Sequence, residues 1–178
     1  MLKILAVSLI AIGLSACVLA NPNNVSEVSE KTMAEQNPHT GFTEFNGPVA
    51  FLSGNPMEGF YQLKGLRPSG GSGTESIYRI EFHVRAYNGG LRLKTAHSAG
   101  KELPLVRIDR EKISCDSYQG CLVRETVGVD VTGEELESYA QSGLTLQLSG
   151  TRGRRVYTIP ATYFAGYLQK VGQNRASG

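Results

Sequence analysis

The sequence predicts a mainly β domain: an antiparallel sheet, a sandwich or an open barrel, with two short helices at about residues 132–142 and 160–171. Three observations lead there. Residues 77–87 alternate strictly, with Tyr78, Ile80, Phe82, Val84 and Ala86 on one face and Arg79, Glu81, His83 and Arg85 on the other. Side chains alternate at period two along a strand, so this segment packs one face on a core and turns the other outward. Further alternating segments are joined by Gly-rich turns, and only two stretches show apolar residues at helical spacing.

Composition sets the outer bounds. The chain has 178 residues, 40% of them hydrophobic, which fits one domain with a packed core and excludes collagen-like or wholly disordered structure. A net charge of +2 argues against a dedicated nucleic-acid binder. Three cysteines are too few for a disulfide-stapled miniprotein.

The N-terminus reads as an address. Lys3 precedes an apolar run over residues 4–14. Eleven residues are too few for a membrane-spanning helix, which needs about 20. A positive start, a short apolar run and small residues describe a secretory signal peptide, residues 1–16. A buried N-terminal helix is the alternative, and the run lacks the polar face such a helix shows.

Leu14-Ser15-Ala16-Cys17 resembles the lipobox of bacterial lipoproteins. The resemblance covers only these first 17 residues. It implies that Cys17 carries diacylglycerol, that the preceding peptide is removed and that the new N-terminus is acylated. Two or more acyl chains give stable membrane attachment where one is marginal. Val18, where aspartate favours inner-membrane retention in this class, points to the outer membrane, facing the periplasm or the cell surface. An ordinary signal peptide cut near Ala16 or Ala20 is the alternative.

Residues 17–46 read as a lipidated N-terminus and flexible tether. Asn, Pro and Ser are frequent, periodicity is weak, and Glu27, Glu30, Glu35 and Glu44 against Lys31 leave a net of −3. A helix near residues 25–35 would be marginal by itself. The domain proper is expected over 47–172, followed by a tail at 173–178.

Within the domain, residues 48–52 and 60–66 are strand candidates. The Gly-rich stretch 69–73 lacks the spacing of a phosphate-binding loop and reads as a connection. Asn88-Gly89-Gly90 predicts a tight turn pairing strand 77–87 with 91–95 as a hairpin. Residues 103–113 and 122–131 form a second hairpin; Glu125 breaks a face otherwise made of Val123, Val127, Val129 and Val131. Residues 144–148 and 155–159 form a third, turning through Ser149-Gly150-Thr151-Arg152-Gly153-Arg154.

The helices have their own signals. Thr132 with Glu135 fits a capping box, Leu136, Tyr139 and Ala140 follow at helical spacing, and Gly143 ends the helix. Pro160 suits a first turn, and Tyr163, Phe164, Tyr167, Leu168 and Val171 form one stripe ending at Gly172. That stripe reads as core packing ahead of an aromatic ligand box.

Chemistry-bearing motifs are sparse. Cys115 and Cys121 bracket a five-residue turn, and an exported chain favours a disulfide there; a redox or metal pair is the alternative, without a C-x-x-C spacing or a nearby His. His39, His83 and His97 match no zinc pattern, so no metal site and no cofactor are expected. No nucleophile-elbow motif is present, and no catalytic residue is nominated. Glu81 and Glu125 are weighed as a glycosidase-type carboxylate pair against solvated strand charges.

After Glu137 no acidic residue follows, while Arg152, Arg154, Arg155, Lys170 and Arg175 do. Three of these arginines share one turn, where they either stay solvated or bind acidic groups bidentately. The sequence therefore predicts a non-enzymatic outer-membrane lipoprotein, held by its lipid and binding a protein or envelope component. Arg152, Arg154, Arg155 and Tyr118 are the contact candidates. An inhibitor of a cell-wall hydrolase, with Tyr118 as its probe, and a glycan-acting enzyme are the alternatives.

Overall fold

A computed structural model describes residues 19–68 and 76–176. The signal peptide (1–16), the lipidation candidate Cys17 and the Gly-rich loop 69–73 lie outside the described residues.

The elements in chain order are α1 (Val25–Lys31), β1 (Met33–Asn37), β2 (Phe42–Asn46), β3 (Ala50–Phe51), β4 (Gly59–Pro68), β5 (Ile77–Ala86), β6 (Leu93–Ser98), β7 (Lys101–Leu103), β8 (Leu105–Asp116), β9 (Gly120–Val131), α2 (Gly133–Ser142), β10 (Leu144–Gly150), β11 (Gly153–Ile159) and α3 (Ala161–Ala176). They build two antiparallel sheets and three helices, and the sheets do not close into a barrel. The large sheet runs β1-β2-β4-β5-β9-β8, with β3 also on β4; the small sheet runs β11-β10-β6-β7.

One continuous core lies between the layers. Tyr61, Leu63, Ile80, Phe82, Val127 and Val129 from the large sheet meet Leu93, Leu146, Leu148, Tyr157 and Ile159 from the small one, and Tyr163, Phe164 and Tyr167 from α3 complete it. Phe82 and Tyr157 stack across the two sheets with ring centroids 6.3 Å apart. The alternating faces of β5 and β9 are buried as their sequence parity requires.

The β8–β9 and β10–β11 hairpins form in the expected segments. Both halves of the α2 capping box are made: Glu135 N–H donates to Thr132 Oγ1 at 3.1 Å, and Thr132 N–H donates to Glu135 Oε2 at 3.0 Å.

Four expectations need correction. Strand 77–87 and segment 91–95 are not a hairpin. β5 pairs with β4 and β9, while β6 pairs with β10 and β7 in the other sheet. Asn88, Gly89, Gly90 and Arg92 all have positive φ (54°, 83°, 74° and 55°), and this run steers the chain from one sheet to the other.

The supposed tether is largely folded. From Leu19 it contributes α1, β1 and β2, with Val28 and Phe45 buried in the core. Seven residues of α1 would not hold as an isolated helix. They are held by α3, where Gly166 leaves room for Val28 and the Val25 carbonyl; a Cβ at 166 would meet that oxygen at 2.5 Å. The tail from 173 is also helical, because Gly172 keeps helical backbone and α3 continues to Ala176. The strand expected over 48–52 shrinks to Ala50–Phe51, since Ser53 and Gly54 turn the chain with φ of 50° and 68°.

Candidate functional site

The β8–β9 hairpin extends past the core. Every residue of β8 after Leu105 is exposed. Near its end Cys115 and Cys121 face each other as cross-strand partners and are joined by a disulfide. Beyond the staple, Asp116 Oδ1 accepts the N–H of Tyr118 at 2.8 Å and of Gln119 at 2.6 Å, which fixes the turn locally. Gly120 closes it with a φ of 73°, a conformation costly for a residue with a Cβ. Tyr118 stands at this tip with 98% of its surface exposed. The backbone beneath it is held by the staple and the Asp116 bonds while the side chain stands exposed, and tyrosine is among the residue types enriched at interface hot spots.

The same end of the molecule gathers basic groups. The Asn88-Gly89 turn lies against the hairpin, with Gly89 N–H directed to the Cys121 carbonyl at 3.5 Å. Arg152 Nη1 donates to Asn88 O at 2.5 Å, and Arg110 Nη2 to Gly89 O at 2.6 Å. The β10–β11 turn is thus docked on the β5–β6 turn, and Arg152 reaches the base of the Tyr118 hairpin. Arg154 and Arg155 follow along β11, both exposed. Among the described residues no carboxylate lies within ion-pair distance of Arg152, Arg154 or Arg155. Sequence reasoning nominated Tyr118 and the arginines separately; the structure brings Tyr118 and Arg152 to one end. Arg110 was not nominated, and its place in a run of alternating charges carried no signal.

The carboxylate pair does not form. Glu125 pairs with Val84 and shares its buried face, whereas Glu81 pairs with Gln62 and Gly128 on the opposite face of the sheet. Glu125 instead accepts the backbone N–H groups of Arg92 and Leu93, each at 2.8 Å. Glu81 lies 2.8 Å from Lys64 Nζ and 3.8 Å from His83 Nε2. His83, then Lys64, hold its carboxyl down at about 2, against burial, which raises it. His83 is stacked on Phe60 with centroids 4.2 Å apart, and its Nδ1 meets Thr126 Oγ1 at 3.1 Å. His39 and His97 lie on β-turn and β6 positions remote in the pairing from His83.

A cavity of about 470 Å³ opens where the described chain begins. Leu19, Ala20 and Pro22 line it together with Phe51, Ser53, Tyr61, Thr158 and Pro160. It sits at the Ile159 end of β11; along the strand, Arg152 at the Gly153 end is about 20 Å from Thr158, Arg154 about 13 Å and Arg155 about 10 Å.

Compared with protein-family models, with curated proteins and with solved structures, the chain matches none.

Proposed function

We propose that this chain is a non-catalytic binding module of the cell envelope, anchored through a lipid on Cys17 in the outer membrane. Its contact surface is the stapled β8–β9 tip with the adjoining arginine turn. The observation that carries this reading is Tyr118, 98% exposed on a turn fixed by a disulfide and an Asp116 cap, at the same end as Arg152, which has no acidic partner among the described residues. An aromatic anchor flanked by guanidinium groups suits a protein or envelope component with an apolar pocket and acidic rim. A photo-crosslinking residue at position 118 in cells tests it, with capture compared after Arg152, Arg154 and Arg155 are replaced by Ala. One defined adduct, lost in the triple variant, is expected; unchanged capture removes the arginines from the site.

The narrow stapled tip also favours a second reading, in which it enters the cleft of a cell-wall hydrolase as an inhibitor. Lysozyme-type activity measured with wild-type and Tyr118→Ala protein decides this. No loss of hydrolase activity with the wild type ends it.

A further inference from the structure

The proposed lipid anchor has a geometric consequence, and this inference rests on that reading. A flexible 17–46 segment would span roughly 30 Å as a coil. The chain is instead fixed from Leu19 onward. Leu19 forms a parallel bridge to Val49, and Ala20 N–H donates to Val49 O at 3.2 Å. Lys31 Nζ donates to Leu19 O at 2.6 Å, and Thr162 Oγ1 to Pro22 O at 2.7 Å. Three hydrogen bonds, from α1, α3 and the Val49 loop, therefore clamp the first described residues to the core.

Only Val18 lies between Cys17 and Leu19, two Cα steps that reach at most about 7 Å. An acylated Cys17 inserts its chains into the bilayer, so the rim around Leu19 must lie within the headgroup layer. That rim is built accordingly: Leu19 is 46% exposed, the cavity beside it presents Pro22, Phe51, Tyr61 and Pro160, and the loop supplying Ser53 also carries Met57, 57% exposed.

We infer that the cavity rim formed by Leu19, Asn23 and Ser53 is a bilayer-contact surface, which seats the domain directly on phospholipid at one end of β11. The arginine turn at the other end of that strand stays clear of the headgroups.

The test uses the full chain purified from membranes and placed in phosphatidylethanolamine–phosphatidylglycerol vesicles containing nitroxide-labelled lipid. Single Asn23→Cys, Ser53→Cys and Arg154→Cys variants carry an environment-sensitive fluorophore. Fluorescence is expected to be lost at positions 23 and 53 and kept at 154. Fatty-acid labelling of the same preparations, with Cys17→Ala as reference, separates the two ways of failing. A lipidated chain with no quenching at 23 and 53 overturns the contact surface alone. A chain that takes up no fatty acid overturns the anchor and this inference together.

Discussion

Glu125 on β9 accepts the backbone N–H of Leu93, the first residue of β6, so a side chain of the large sheet holds the entry to the small one. Its other oxygen takes the N–H of Arg92, and Gly90 lies so close that a Cβ there would collide with the carboxylate. Hydrogen bonds to a charged group contribute about 1.5–3 kcal/mol, and a buried donor left without an acceptor costs a further share. Glu125→Ala is therefore expected to lose about 3 kcal/mol in urea denaturation. Glu125→Gln, which keeps one acceptor oxygen, should lose less. A loss under 1 kcal/mol in the Ala variant would show that the inter-sheet link is not held this way.

The Cys115–Cys121 staple closes a loop of only seven residues, counting both cysteines. Chain entropy then assigns it about 2 kcal/mol. Replacing both cysteines by Ser should lower global stability by no more than this, yet raise hydrogen exchange across 116–120 strongly. Equal exchange in both proteins would mean that the Asp116 turn alone fixes the tip.

Tyr157 presents a buried hydroxyl with no hydrogen-bond partner among the described residues, and burial pushes its pKa up to about 12. An unsatisfied buried polar group costs roughly 1–3 kcal/mol. Tyr157→Phe keeps the stack on Phe82 and removes that group, so thermal denaturation should show a protein at least as stable as wild type. A clear drop in melting temperature would contradict it.

Glu81 stays charged in the folded protein down to about pH 2, against 4.5 for the ordinary carboxyl. As pH falls through this window, the unfolded chain takes up the proton first. The stabilisation from Lys64 and His83 is thus full above pH 4.5, shrinks below it and is gone near 2. Denaturation of wild type and Glu81→Gln at pH 7 and pH 3 should show the gap between them narrowing at the lower pH. A constant gap would place the interaction elsewhere.

β8 is an edge strand of twelve residues, an open template for pairing. Register shifts against β9 fall beside Ile108 and Ile113. Between them Asp109 and Glu111 face one side of the sheet, and Arg110 and Lys112 the other, as their partners on β9 show. A second copy pairing antiparallel about a two-fold axis keeps matching faces together, so it brings acid to acid or base to base. Replacing Asp109, Arg110 and Glu111 with Thr should promote self-association, read by sedimentation; an unchanged sedimentation coefficient at high concentration would leave the bulges as the sole guard.

What the sequence made legible follows from local physics. The parity of β5 and β9, the Thr132–Glu135 box and the stripe on α3 are each set within a dozen residues. What it hid depends on remote partners. Phe45, in a segment of mostly polar residues, is buried in the core shared with α3, where Tyr167, more than a hundred positions away, also donates its hydroxyl to the Phe45 carbonyl. Glu125 broke the pattern of its strand visibly, but the N–H groups that satisfy it belong to a turn expected to form a hairpin instead. Tyr118 and Arg152 carry no sign in the sequence of their shared location, since the Asn88-Gly89 turn that joins them bonds to segments more than 30 residues away.

Tyr163 and Tyr167 donate their hydroxyls to the carbonyls of Pro48 and Phe45, and the N–H of Leu63 in turn donates to Tyr163. These bonds tie α3 to strands formed from the opposite part of the chain. Early contacts of such separation carry a large loop-closure cost and slow folding. Until α3 arrives, the part of the large sheet around Phe45 and Leu63 and the apolar side of α1 lack the cover it supplies. A chain still lacking α3 therefore exposes apolar surface that invites aggregation, and the first two turns of α3, which carry Tyr163 and Tyr167, close it.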